Sequence, residues 1–351
     1  MMMASPEAET LRIIDANLNR IGEGLRVLED LARFVLNAVE LTQRLKNMRH
    51  NLLISDWSFQ QQLLQARNAA GDVGVGIEVS REKKMEELPT VVIANARRVQ
   101  EALRVMEELA KNTGLDANKF LHARFSLYEL EQALLFKLLR QDKIKHLRGL
   151  YVIIDTQALP GKSPTEAARQ AIRGGTAVIQ LRDKMLSKKE LMPIAQELRE
   201  LCAEHDVLFI VNDYLDLALA IDADGLHLGQ DDLPIKVARK LLAGGKILGC
   251  STRTVDQAIA AESDGADYIA VSAIYPTGSK ERETVVGPER LRQIRQAVSV
   301  PLVAIGGITR DNAAEALAAG SSSVAVISAV LQAEDIESAT RDIVDKLEIQ
   351  V

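Results

Sequence analysis

The chain has 351 residues, 47% of them apolar and 26% charged, enough for a sizeable core in two domains or in one domain with an extension. Its formal charge of −6 and its 3% aromatic content argue against a nucleic-acid groove and against base-stacking platforms. Two cysteines, Cys202 and Cys250, are too few for a disulfide framework or a zinc site, and neither a signal-like start nor an apolar run of about 18 residues is present, so a cytoplasmic protein away from membranes is expected.

Amphipathic helices dominate up to about residue 148. Residues 16–32, ANLNRIGEGLRVLEDLA, align without a gap to residues 94–110, ANARRVQEALRVMEELA, and ten of seventeen positions match, which points to a duplicated helix. On a helical wheel at about 100° per residue, Ile21, Leu25, Leu28, Leu31, Ala32 and Val35 form one apolar face. Asn17 falls inside that face, Arg20 falls on its edge, and Gly24 and Ala102 sit beside the Asn of their own copies. A buried amide with no partner costs about 1–3 kcal/mol. Asn17, Arg20, Asn95 and Arg98 are therefore candidates to bind something, with helix–helix hydrogen bonds as the structural alternative. Glu23, Arg26, Glu29 and their counterparts lie toward the polar side and are expected to be solvated and salt-bridged. Between the copies, ARNAAGDVGVGIEVS (66–80) carries Arg67 and Asp72 on a Gly-rich loop whose N–H groups could approach a phosphate, although it lacks a Walker ending. Trp57 is expected to pack.

QDKIKHLRG (141–149) reads as the linker, giving a helical domain over 1–145 and a second domain over 146–351. In the second, eight apolar runs alternate with helical patterns: LYVIID, AVIQLR, LFIVND, GLHLG, ILGCS, YIAVSAI, PLVAIGG and SSVAVISA. Strict alternation means a parallel sheet with helical crossovers, and a count of eight favours a (β/α)8 barrel over an open doubly wound sheet. The fold class is thus α/β, a TIM barrel preceded by a mainly α-helical domain with an internal helix repeat.

Barrel enzymes carry their chemistry at the C-terminal ends of the strands. There the chain places Gln180, Arg182 and Lys184 after strand two, Asn212 and Asp213 after strand three, and Gln230, Asp231 and Asp232 after strand four. Ser251 ends strand five, and YPTGSK with Thr277, Ser279 and Lys280 follows strand six. Carboxylates on neighbouring strand ends would repel unless a hard cation sat between them, and oxygen-only ligands favour Mg2+. Arg182, Lys184 and Lys280 would exceed what two acids need, so an anionic substrate such as a diphosphate is expected. Gly306-Gly307 and Ile327-Ser328 offer backbone N–H groups where barrels commonly hold a second phosphate. Two phosphorylated small-molecule reactants suit a transferase, and no base for hydrolysis is evident. His227 alternates with Leu226 and Leu228 and could be a structural imidazole or a proton shuttle; Cys250 reads as a small apolar filler.

The ordered motifs QLRDK, VND, ADGLHLGQDD, IYPTGSK, AIGGIT and VAVISA, spanning about residues 148–347, resemble thiamine-phosphate synthase. That family joins hydroxymethylpyrimidine diphosphate to hydroxyethylthiazole phosphate, giving thiamine phosphate and pyrophosphate. The resemblance implies Mg2+ on Asp213 and Asp232. It implies the diphosphate on Arg182, Lys184, Asn212, Ser251 and Lys280, with Gln180 beside the pyrimidine. The thiazole phosphate would lie on Thr277, Ser279, Gly307, Ile327 and Ser328. Three departures from the family pattern stand out: Ser272-Ala273 for Gly-Pro, Ser279 for Thr, and Tyr214 for Arg. The N-terminal half, through AN..R..E.LRV.E at 94–107, its echo at 16–29 and R…GDVG at 67–74, resembles a monofunctional hydroxymethylpyrimidine-phosphate kinase found fused ahead of this synthase. It implies use of ATP-Mg2+. The rivals are a thiazole tautomerase for the barrel and a non-catalytic dimerisation or regulatory module for the helices. Whether the chain forms a homo-oligomer is left open.

Overall fold

The computed structural model describes residues 7–53, 56–68, 87–242, 244–277 and 285–348. It divides into two compact units, one ending at Leu138 and the other beginning at Leu139. No helix among the described residues is long and apolar enough to cross a membrane.

The first unit is helical. Helix α1 (Ala8–Asp30) continues through a π-helical turn, Leu31–Val35, into α2 (Val39–Leu52) and α3 (Trp57–Ala66); α4 (Leu88–Thr113) and α5 (Ala117–Lys145) follow. Asp56 caps α3 by accepting from the Phe59 N–H at 3.1 Å. Helix α4 starts with Pro89 in its first turn and stops at Gly114, whose φ of 74° is the left-handed conformation that ends helices. The apolar stripes of α1 and α4 face each other. A Cβ on Gly24 would come within 2.4 Å of Val99 Cγ2, so the small residue sets how closely the two copies of the repeat pack. Leu45, Phe120, Leu127 and Leu134 complete this core. Trp57, in contrast, is 67% exposed, so the packing expected of it is not made.

Two readings of the repeat are corrected. Asn17 and Asn95 are buried as the wheel requires, yet neither needs an outside partner. Each donates to the carbonyl four residues earlier, Ile13 at 2.8 Å and Val91 at 2.9 Å, and each accepts from the Arg three residues later, Arg20 at 3.4 Å and Arg98 at 3.0 Å. One turn of helix satisfies the amide. Glu29 and Glu107, expected on a solvated face, are each 4% exposed. An arginine from a neighbouring helix neutralises each: Arg49 of α2 lies 2.9 Å from Glu29, and Arg124 of α5 lies 2.5 Å from Glu107. These partners lie outside the repeated helix, where a single-helix wheel cannot register them. Glu23 and Arg26 are exposed as expected.

The second unit is a closed barrel of parallel strands in chain order: β1 (Gly149–Asp155), β2 (Val178–Arg182), β3 (Leu208–Asn212), β4 (Gly225–Leu228), β5 (Ile247–Thr252), β6 (Tyr268–Val271), β7 (Leu302–Ile305) and β8 (Ser323–Val326), the last pairing back to β1. Closure settles the choice against an open sheet. The crossovers include α6 (Pro164–Arg173), α7 (Lys188–Glu204), α8 (Leu215–Ala220), α9 (Ile235–Leu241), α10 (Val255–Ser263), α11 (Gly287–Ala297) and α12 (Ala313–Ala318); α13 (Ser328–Leu331) and α14 (Ile336–Glu348) close the chain. Ser187 with Glu190, and Thr254 with Gln257, form capping boxes that start α7 and α10.

Residues along each strand alternate between two cores. Leu150, Val152 and Ile154 pack outward under the helices, while Tyr151 and Ile153 point into the barrel with Val178, Ile210, Ile247, Tyr268 and Val303. Gly249 makes room inside, since a Cβ there would lie 2.1 Å from Cζ of Tyr268. At the N-terminal rim, Asp224 and Asp267 are structural. Asp224 accepts from the Phe209 N–H and pairs with Lys143, and Asp267 accepts from the Leu248 N–H and pairs with Arg140 and Arg239.

The ion pairs of the helical unit separate by burial. Arg124→Ala removes two hydrogen bonds from the buried Glu107 carboxylate, leaves it only the largely exposed Arg104, and lowers stability by about 2–3 kcal/mol. Arg104→Ala removes a side chain that is 59% exposed and costs about 1 kcal/mol or less. Urea unfolding of the full chain followed by far-ultraviolet circular dichroism checks this; equal losses would refute the distinction.

Candidate active site

A cavity of about 390 Å³ opens at the C-terminal end of the barrel. Ile153, Val303, Ile305 and Ile308 supply its apolar wall; Gln180, Arg182, Asn212 and Ser251 line one side. Thr277, Gly307, Ile327 and Ser328 line it from the strand ends after β6, β7 and β8. Eight residues singled out from strand ends therefore share one cavity. Ser279 and Lys280 lie outside the described residues, as do Asp72 and the GDVG element.

Asp213 and Asp232 stand at the rim, with their carboxyls within hydrogen-bonding reach of each other. Asp213 has φ of 63°, a left-handed backbone that Asp adopts more readily than most residues, and its N–H donates to the His227 carbonyl at 2.9 Å. The turn after β3 thereby aims its carboxylate at the turn after β4. There the Gly229 N–H donates to Asp232 Oδ2 at 2.7 Å, which folds GQDD back on itself. Asp231 is exposed. Burial, reinforced by the facing Asp232, raises the Asp213 carboxyl above its usual range. Burial opposes ionisation of Asp232 as well, but the hydrogen bonds it accepts from Asp213 and the Gly229 N–H hold it below that range. Lys184 forms an ion pair with Asp213. Among the described residues no group of three or more His, Cys, Asp or Glu side chains converges. Two facing carboxylates are nonetheless the donor set from which Mg2+ takes its protein ligands, the rest coming from water and phosphate.

The expected surplus of positive charge takes no account of Asp155. Asp155, which ends β1 directly opposite Arg182 in the strand register, forms an ion pair with that guanidinium. Arg182 is thus paired with Asp155, as Lys184 is with Asp213. The reading of strand ends began at β2 and passed over Asp155, although it closes LYVIID as Asp213 closes LFIVND. Asp183 was also passed over: it is buried and accepts from the Thr156 hydroxyl and from the N–H groups of Met185 and Leu186, shaping the loop that carries Lys184.

The cavity floor is polar. Gln180 Nε2 donates to the Tyr151 hydroxyl at 2.7 Å; Tyr151 and Tyr268 hydroxyls lie 3.2 Å apart; Tyr268 lies 3.0 Å from His227 Nδ1; and His227 Nε2 lies 2.9 Å from Ser251 Oγ. His227 therefore points into the barrel, with both ring nitrogens engaged. Inward parity with Ile153 and Ala270 was the signal for Tyr151 and Tyr268, but contact between residues 117 apart is not visible along the chain.

On the other side, Gly306 and Gly307 have φ of 97° and 66°. A Cβ on Gly306 would lie 2.7 Å from that of Ala273, and one on Gly307 would lie 2.4 Å from the Pro276 carbonyl. These glycines first of all admit the loop after β6, which bonds back through the Ile274 and Tyr275 N–H groups. Asn312 holds the turn, accepting from the Thr309 N–H and donating to the Gly307 carbonyl. In the helical unit, Asn17 with Arg20 and Asn95 with Arg98 form two separate intrahelical pairs, and Arg67 is held by Asp15 at 2.6 and 2.9 Å.

A family model described as thiamine monophosphate synthase matches residues 150–330, and one for the ThiD2 family matches residues 12–133. A thiamine-phosphate synthase of Synechococcus sp. (strain CC9311) is 37% identical over 350 residues, 98% of this chain and 98% of that one. One of Synechocystis sp. is 38% identical over 351 residues, 99% of this chain and 98% of that one. Among solved structures, a thiamine phosphate pyrophosphorylase from Pyrococcus furiosus has a TM-score of 0.54 at 41% identity, covering 59% of this chain and 98% of that chain.

Burial pushes the Cys250 thiol up to about 11 and the Cys202 thiol up to about 12. Neither supplies a thiolate near neutrality. Iodoacetamide at pH 8 is expected to leave both unmodified in the folded protein and to label both in urea, as read by mass spectrometry; labelling of native Cys250 would contradict its packing role.

Proposed function

The chain belongs to the thiamine-phosphate synthase family, with a ThiD2-family domain ahead of the barrel, and on that premise we propose how the barrel's rim divides its two reactants. Hydroxymethylpyrimidine diphosphate lies on the β2–β5 side, with its ring beside Gln180. Its diphosphate lies on Arg182, Lys184, Asn212 and Ser251, joined by Lys280. Hydroxyethylthiazole phosphate lies opposite, with its phosphate on Thr277, Ser279, Gly307, Ile327 and Ser328. The observation that carries this division is the Asp213–Asp232 pair standing beside the donor-lined half of the cavity.

Asp213 and Asp232 would hold Mg2+, which when bound would neutralise charge on the departing pyrophosphate. The chain's own donors act in the same sense. Arg182, oriented by Asp155, and the Asn212 amide and Ser251 hydroxyl offer N–H and O–H groups to oxygens that gain charge as the C–O bond breaks. The electron pair leaves with pyrophosphate, the aminopyrimidine delocalises the resulting methylene cation, and the thiazole nitrogen donates the pair of the new C–N bond. The apolar wall of Ile153, Ile305 and Ile308 keeps water from capturing that cation. No protein nucleophile is required, in keeping with thiols held in their protonated form.

For the helical domain we propose phosphorylation of hydroxymethylpyrimidine phosphate by ATP-Mg2+, the step that makes the barrel's substrate. The ThiD2-family match supports it. Asn17, Arg20, Arg67, Asp72, Asn95 and Arg98 remain its candidates. Asn17, Arg20, Arg67, Asn95 and Arg98 already hydrogen-bond within the domain, and substrate would take the donors those bonds leave over.

Asp213→Asn and Asp232→Asn are each expected to lower kcat for thiamine phosphate formation by about 10²–10³-fold while leaving KM for the thiazole phosphate within about twofold. A larger effect on thiazole KM than on kcat would reverse the assignment of sides. In the full-length Asp232→Asn protein, ATP and hydroxymethylpyrimidine phosphate should still yield ADP. No ADP under varied metal and pH would mark the helical domain as a dimerisation or regulatory module.

A further inference from the structure

The floor of the cavity is a continuous run of hydrogen bonds, Gln180–Tyr151–Tyr268–His227–Ser251. Gln180, Tyr151, Tyr268 and His227 are all buried. Burial raises both phenols above their ordinary range, so each keeps its single proton. A hydroxyl has one proton to give, and a neutral imidazole carries one N–H. In such a run the direction of one link sets the direction of the rest.

The first link is given, because Gln180 Nε2 donates to the Tyr151 hydroxyl. The arrangement that uses every proton within the run then has Tyr151 give its proton to Tyr268, and Tyr268 give its proton to Nδ1 of His227. The ring proton is left on Nε2, which donates to Ser251 Oγ. The reverse direction, from Ser251 through Nε2 and Nδ1–H, would end with the Tyr151 proton aimed at an amide N–H, donor against donor.

We infer that Tyr151, Tyr268 and His227 are positioning residues that fix the hydrogen-bonding polarity of both ends of the donor-lined half: Gln180 presents its carbonyl Oε1 to the cavity as an acceptor, and Ser251 presents its hydroxyl proton as a donor. The inference rests on the placement of the pyrimidine at Gln180 and the diphosphate at Ser251. An acceptor held at Gln180 takes an N–H of the pyrimidine's amino group and repels the oxygen of an oxo-pyrimidine. A donor held at Ser251 meets a phosphate oxygen. The run is thus a specificity device for amino- over oxo-pyrimidines, and it acts from residues that touch neither reacting atom.

Tyr268→Phe keeps the ring that stacks on His227, at 5.6 Å between centroids, and removes only the oxygen through which direction is passed. The kcat/KM ratio for hydroxymethylpyrimidine diphosphate over its oxo counterpart is expected to fall about tenfold or more, with KM for the thiazole phosphate within about twofold. Tyr151→Phe breaks the neighbouring link and serves if the first variant does not fold. His227→Gln retains one donor and one acceptor and should keep the ratio; His227→Leu should lose it. Independently, 15N shifts of the His227 imidazole in the native enzyme should report a proton on Nε2 and none on Nδ1. A ring protonated on Nδ1 overturns the polarity, and an unchanged ratio in folded Tyr268→Phe overturns its role in specificity. If the wild-type enzyme uses neither diphosphate, the assignment of the pyrimidine is what fails, and the tautomer still decides the run.

Discussion

The contact on which the active end of this barrel depends is the meeting of two phenol hydroxyls, Tyr151 of β1 and Tyr268 of β6, across its interior. Closing eight parallel strands leaves a core that must be filled, and aliphatic side chains fill the lower part. Higher up the filling is polar. Two buried phenols would each cost about 1–3 kcal/mol if left without partners. Gln180 on one side and His227 on the other remove that cost, and Gly249 leaves the space the Tyr268 ring occupies. The barrel thus floors its cavity with groups that have fixed places, which is the condition for recognising a small ring by hydrogen bonds.

Acids occur at both rims, and their surroundings give them different uses. Below, Asp224 and Asp267 accept backbone N–H groups from neighbouring strands and are matched by Lys143, Arg140 and Arg239. Their charge is consumed in holding the strands in register. Above, Asp213 and Asp232 face each other with a single lysine between their needs. Two carboxyls brought that close must share a proton or a cation, and the fold reaches the arrangement through a left-handed residue after β3 and a tight turn after β4. One residue type staples the base of the barrel and makes chemistry available at its mouth.

Much of this was legible along the chain. Eight alternating runs gave the barrel, because parallel strands buried on both faces read as short apolar stretches. The rule that barrel chemistry sits at strand ends brought Gln180, Arg182, Asn212, Ser251, Thr277, Gly307, Ile327 and Ser328 to one cavity. Illegible were the pairings made across space. Asp155 bonds Arg182 through strand register, and Tyr151 meets Tyr268 through closure of the sheet. Arg49 and Arg124 reach Glu29 and Glu107 from helices outside the repeat. A helical wheel ranks each residue by its own neighbours, so it placed two buried glutamates in solvent. It also credited Asn17 and Asn95 with a need that a carbonyl one turn away already meets.

Two cations at the mouth of the barrel are already engaged, Arg182 by Asp155 and Lys184 by Asp213. An anion entering the site would meet donors whose charge a carboxylate already shares, and it would take the N–H groups those carboxylates leave over. Asp155 and Asp213 stand within reach of those cations and would compete with any anion bound there. If pyrophosphate leaves from this side, as proposed above, internal counter-ions of this kind would compete with it for its donors and favour its release.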